Sequence, residues 1–226
     1  MRPDVSPLVP YFTAPSFARP TSIYFGGASR IALNHLALES ASRINNNFLW
    51  LEVRQPGVVT DPGEPSMIGR IPSRRRLEAI PPEHAPATSG RPGRFVVRRV
   101  EGPHEEVGQI ADVLRIPHFV RSLFPSHSSG TRPEVLVVAN GDGILNIYPD
   151  SLEQARTFLR VFQQEKVTLV TSYCGAAPQS RFAFDYVFEV DSPDPNSWKN
   201  STVRCEQSPK TAPFPAGSLR PAFGPG

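Results

Sequence analysis

The sequence predicts an α/β fold: a mainly parallel central sheet flanked by helices, with an antiparallel strand pair at its C-terminal end. Three observations lead there. Short runs rich in β-branched and aromatic residues recur between residues 21 and 206, and stretches of helical period separate most of them. That alternation makes the strands parallel, because each crossover carries the chain back to the edge where the previous strand began. Most of the runs are nearly all apolar, as strands covered on both faces are. The last two have no helical pattern between them and should pair antiparallel.

The elements follow in order. Thr21–Gly26 (TSIYFG) reads as a buried strand ended by Gly26-Gly27. A helix follows at once, with Ser29 as its N-cap and Ile31, Leu33, Leu36, Leu38, Ala41 and Ile44 broadly on one side. The run Asn45-Asn46-Asn47 ends it, and Phe48–Val53 (FLWLEV) is the second strand. Phe95–Val100 is the third. Glu105–Phe124 is helical by pattern, with Pro117 forcing a kink or a new helix. Glu134–Asn140 (EVLVVAN) is the most strongly apolar strand, so Val135–Ala139 should be central. Ser151–Glu165 is a helix capped by Asp150 or Ser151, with Leu152, Ala155, Phe158, Leu159 and Phe162 as its face. Val167–Tyr173 is a further buried strand. Phe182–Val190 alternates at its end like an edge-side strand, and Thr202–Cys205 pairs with it as a hairpin.

Proline marks the boundaries. Of the 26 prolines, five lie in residues 1–20, nine in 55–103, five in 104–190 and seven in 191–226. Residues 1–20 therefore read as a proline-rich N-terminal arm. Its Tyr11, Phe12 and Phe17 cannot be buried by any helix or ladder of the arm's own. Residues 21–206 form the domain, 55–94 a long loop or insertion, and 207–226 a proline-rich tail. A length of 226 residues suits one domain with such extensions, and 39% hydrophobic residues supply its core.

Several function classes drop out. No apolar run reaches the ~20 residues of a membrane span, and the start has no signal-peptide core, so a cytoplasmic location with no membrane partner is expected. The two cysteines cannot build a disulfide framework or a Cys/His zinc cage. If Cys205 lies on a strand adjoining Cys174, the two would come close and remain thiols. None of the five histidines has metal-site spacing, so no metal is expected. Cys174 and the serine-flanked His127 lack the companions of a nucleophilic site.

The order of elements resembles the core of RecA-like P-loop ATPases, and within them the KaiC-like branch, over residues 21–206 without the 55–94 insertion. In that family a first strand runs into a phosphate-binding loop and helix, a second ends in acidic residues, a later apolar strand ends in the Walker B aspartate, and the next ends in a polar sensor. The matching places are Ser22–Gly26 with the helix from Ser29, Phe48–Glu52, Val135–Asn140 and Val167–Ser172. The departures are specific. A phosphate loop reads G-x-x-x-x-G-K-S/T. The turn Gly26-Gly27-Ala28-Ser29-Arg30 lacks roughly half of those positions. It also lacks the lysine, and the first lysine of the chain is Lys166. Asn140 stands where the metal-binding carboxylate belongs; Asp142, two residues on, is its nearest substitute. Glu52 alone matches a family acid, in the place of the general base.

The resemblance therefore implies a non-catalytic domain with degenerate Walker motifs, without a cofactor, working in assembly or regulation with a protein partner or with copies of itself. Two other readings stay open. One is a divergent ATPase using ATP and Mg²⁺ through Arg30, Glu52 and Asp142, with Gly26, Gly27, Ser29, Arg30, Asn140 and Asp142 as the nucleotide or anion site. The other is an arginine-rich nucleic-acid module. Three of the 24 basic residues are lysines, and the densest basic feature is Arg70 with Arg74, Arg75 and Arg76, suited to phosphate or to an acidic partner. A GC-rich genome is the simpler explanation of the arginine bias, and a tight strand-to-helix turn that of the glycines.

Overall fold

The computed structural model describes residues 19–45, 48–54, 96–101, 114–124, 133–139, 151–194, 200–209 and 217–222. Eight strands lie among them: β1 (Ser22–Gly27), β2 (Phe48–Arg54), β3 (Val96–Glu101), β4 (Glu134–Ala139), β5 (Val167–Cys174), β6 (Tyr186–Asp191), β7 (Thr202–Gln207) and β8 (Leu219–Pro221). They form one sheet in the order β3-β2-β4-β5-β1-β6-β7-β8. The six from β3 to β6 are parallel, and β7 and β8 add antiparallel pairs. The expected mainly parallel sheet with an antiparallel C-terminal pair is what the chain builds. Val135–Ala139 is interior, flanked by β2 and β5, and none of its five residues is more than 2% exposed.

The period of two along each strand divides the core into two layers. Ile23, Phe25, Phe48, Trp50, Val135, Val137, Val170 and Phe188 face α1 (Arg30–Ile44). Tyr24, Leu49, Leu136, Val138, Leu169 and Val187 face the other side, against α2 (Pro117–Ser122) and α3 (Leu152–Gln164). α3 presents Ala155, Phe158, Leu159 and Phe162 inward, with the two phenyl rings edge to face at 5.1 Å. Each buried Phe or Leu side chain there is worth about 1.5–3 kcal/mol. Ser151 caps α3, its hydroxyl accepting from the Gln154 amide at 3.4 Å. Lys166 then takes the left-handed conformation that ends the helix and turns the chain into β5.

Several expectations are corrected. The helix after β1 is not one-sided: six consecutive residues, His35–Ser40, are all buried. A one-sided apolar stripe describes a surface helix, whereas a helix enclosed all round carries small and apolar residues on every face. The strand expected over 182–190 begins only at Tyr186, because Gln179–Ala183 forms a 3-10 helical turn after Pro178. It is not edge-side, since β1 and β7 flank it. The tail expected from residue 207 onward contributes β8 to the sheet. Cys174 and Cys205 are not neighbours: β1 and β6 lie between their strands, which at the usual spacing separates them by about 14 Å, beyond disulfide reach. Pro117 starts a new helix, as expected, while residues 105–113 of the anticipated longer helix lie outside the described residues. So do the arm from 1 to 18 and the insertion 55–94.

Candidate functional site

The parallel strands β1, β2, β4, β5 and β6 end on one edge, and the sequence candidates that can be placed lie there. β1 runs into α1 through a turn of two residues, Ala28 and Ser29. Ser29 is wholly buried; its backbone is extended (φ −96°, ψ 103°) and its hydroxyl accepts from the Ala32 amide at 3.3 Å. It is an N-cap in the ordinary sense, engaged with its own helix. The Cys174 thiol, at the end of β5, donates to the Ala28 carbonyl at 3.2 Å, and the Gly175 amide donates to the Gly27 carbonyl at 3.3 Å. Arg30 opens α1 and is partly exposed.

Packing accounts for both glycines. A Cβ on Gly27 would stand 2.2 Å from the Val190 carbonyl oxygen of β6, closer than any side-chain carbon tolerates. A Cβ on Gly26 would stand 2.7 Å from Cε1 of Tyr24, a ring held by the core.

Glu52 pairs in register with Ala139 of β4 and Arg99 of β3. Its strand is the third from β1, about 14 Å away at normal strand spacing. In the sensor position, the Thr171 hydroxyl donates to the Val138 carbonyl at 3.0 Å and the Ser172 hydroxyl to Oδ1 of Asn34 on α1 at 3.3 Å. The structure thus brings Gly26, Gly27, Ser29 and Arg30 together and sets Glu52 on the same edge at a distance. Asn140, Asp142, Arg70, Arg74, Arg75 and Arg76 lie outside the described residues. Among the described residues no group of three or more His, Cys, Asp or Glu is arranged to hold a metal, and no helix is long and apolar enough to cross a membrane.

Two polar clusters went unread in the sequence. At the opposite edge, Oδ2 of Asp185 accepts from the Thr21 hydroxyl at 3.0 Å and from the Ser22 amide and hydroxyl at 2.8 Å each. The Asp185 amide returns a bond to the Ser22 hydroxyl at 3.0 Å, so the starts of β1 and β6 are clasped together. An open groove of about 420 Å³ lies beside this clasp, lined by Arg156, Phe182, Phe184, Asp185, Gln207 and Ser208 among others.

The second cluster centres on Arg181, in the 3-10 turn. Its guanidinium meets Glu189 of β6 at 3.4 Å and Glu206 of β7 at 3.5 Å, donates to the Pro178 and Ala177 carbonyls at 3.1 and 3.4 Å, and lies 4.3 Å from the Phe182 ring centroid. Arg204 reaches Glu206 at 3.0 Å from the solvent side. Burial pushes the Glu189 carboxyl above the ordinary range; Arg181 opposes the shift, Glu206 adds to it and Arg204 opposes it. Burial also pushes the Cys205 thiol up, opposed by its hydrogen-bonding contacts with the Ser208 side chain and the Gln207 backbone, and it lies in the core as an inert thiol. Neither cluster had a sequence signal, since each joins residues far apart in the chain.

No protein-family model and no curated protein matches the sequence. Among solved structures, the flagellar accessory protein FlaH from Methanocaldococcus jannaschii aligns with 91% of this chain and 90% of its own, at 11% identity and a TM-score of 0.41.

Proposed function

We propose that the chain is a RecA/KaiC-like domain whose nucleotide site has decayed and whose work is assembly or regulation. The observation that carries this reading is the two-residue turn between β1 and α1. Its one hydroxyl is buried and capping its own helix, and the Cys174 thiol is bonded to the carbonyl at its tip. A phosphate cradle needs a longer loop of outward amides, a lysine for the β- and γ-phosphates and a free hydroxyl for Mg²⁺. The residues of this turn do not fit ATP and Mg²⁺. A sheet of six parallel strands packed on both faces suits a scaffold that works without nucleotide chemistry. The arm 1–20, with Tyr11, Phe12 and Phe17 among five prolines, would give such a scaffold a means of reaching a neighbour.

One observation favours a divergent ATPase instead. Glu52 lies near the end of β2 in register with Ala139, which precedes Asn140 by one residue and Asp142 by three, a placement that would bring a base and a metal ligand to one edge. Phosphate release from ATP with Mg²⁺ separates the two. The full chain is expected to show background hydrolysis, unchanged in Glu52→Gln. Turnover that Glu52→Gln abolishes would replace the first reading with the second.

A further inference from the structure

On one side of the sheet, α1 lies across β1, β4 and β5. The sheet runs on past β1 through β6, β7 and β8. There the same side carries Tyr186, Phe188 and Val190 of β6, Val203 and Cys205 of β7, and Ala222 just after β8. Three rings form a row: Phe25 stacks on Phe188 at 5.2 Å, and Phe188 on Tyr186 at 6.1 Å. Among the described residues no helix lies across this half, since α2 and α3 pack on the opposite side. Yet none of those six residues is more than 4% exposed. An apolar sheet face stays dry only under a second layer, and here the chain itself supplies that layer.

The connections point to one segment. Residues 55–95 join β2 to β3, at the far end of the sheet. Residues 102–113, 125–132 and 140–150 belong to the crossovers that carry α2 and α3, and those crossovers pass over the opposite side. Residues 195–199 and 210–216 join antiparallel neighbours at the strand ends. What remains with the length to cover a face is the arm, residues 1–18.

The arm is rooted beside that face. It enters the sheet at the start of β1, the neighbour of β6, and the bonds from Thr21 and Ser22 to Asp185 fix that root against the start of β6. An extended proline-rich chain advances about 3.1 Å per residue, so the arm can reach about 55 Å. The distance from β1 to β7 is only about 10 Å. Pro3, Pro7, Pro10 and Pro15 lack the amide hydrogen of a ladder, so the arm suits lying over a face rather than adding a strand. Stiff proline segments also lose little entropy on docking against aromatic rows.

We propose that the arm docks on its own chain, over the β6–β7 half of the α1 side, with Tyr11, Phe12 and Phe17 against the row Phe25–Phe188–Tyr186. So placed, it hides an apolar face of the domain, and a neighbour gains that face only by displacing it. The docking does not depend on whether the nucleotide site has decayed, because the arm is rooted at the start of β1 and the nucleotide edge lies at its end.

Cys205 reports on the cover, because it lies on this face and is buried. In the full chain carrying Cys174→Ser, maleimide labelling of Cys205 should be slow and independent of protein concentration. Adding Tyr11→Ser, Phe12→Ser and Phe17→Ser should speed it by an order of magnitude or more at the same pH, with the sheet intact by circular dichroism. An unchanged rate overturns the proposal. So does labelling of the Cys174→Ser chain that quickens on dilution, which would make the cover a second copy's arm. Should the substituted chain lose its fold, nuclear Overhauser contacts in the wild-type chain decide. Contacts from the rings of Tyr11, Phe12 or Phe17 to those of Tyr186 or Phe188 uphold it. Their absence, or contacts from Trp198, Phe214 or Phe223 in their place, overturns it.

Discussion

Gly27 shows how a single position answers for a motif. Its place before a helix invites a phosphate-loop reading, but its Cβ would meet the Val190 carbonyl at 2.2 Å, and that contact alone demands glycine. Gly27→Ala should cost about 2–3 kcal/mol in denaturant unfolding, because backbone on both sides must shift. Asp185 is a second residue with large expected weight. Asp185→Ala leaves the Thr21 hydroxyl and the Ser22 amide and hydroxyl without their acceptor, at about 2–4 kcal/mol. Glu189 gives a pH signature to global stability as well. Its folded form favours the proton, so the wild-type chain should gain stability relative to Glu189→Gln as pH falls from 7 toward 4.5. A difference that is constant, or moves the other way, would contradict the burial of its charge. None of these roles was legible in the sequence. Asp185 acts through Thr21 and Ser22, more than 160 positions away, and no periodicity encodes a pairing of that separation.

At the scale of elements the sequence was more informative, for physical reasons. β2, β4 and β5 are short, mostly apolar runs suited to a doubly covered sheet, and they lie in its interior. Ser29 and Ser151 cap α1 and α3 as their place before a periodic run implies. What failed were the ends. Phe182 and Phe184 read as strand because aromatic alternation imitates one, whereas Pro178 and the Arg181 contacts hold that stretch as a 3-10 turn. β8 is three residues long, too short for any pattern, and pairs only because β7 offers it an edge. The cap also separates two roles for Ser29. Ser29→Ala should lower stability by about 1 kcal/mol, the worth of an N-cap, and leave every nucleotide readout unchanged. A loss of nucleotide affinity with intact stability would make Ser29 a ligand rather than a cap.

For the whole molecule, the sheet order and its two packed faces describe a domain in which β4 and β5 are interior strands and β1 is covered by α1 on one face and by the segment around Phe184 on the other. The proposed function turns on whether the C-terminal edge holds a nucleotide and whether the arm reaches a partner. Deleting residues 2–18 should leave the sheet folded by circular dichroism and alter the mass or solubility seen in light scattering; an unchanged mass and solubility would leave the arm without an assembly role. The most direct measurement is calorimetric titration of the full chain with ATP in the presence of Mg²⁺. A decayed site predicts no saturable heat up to about 1 mM nucleotide, where even a weak complex of about 4 kcal/mol would register. Saturable, Mg²⁺-dependent binding in the micromolar range that weakens in Asp142→Asn would contradict it and make this edge a working nucleotide site.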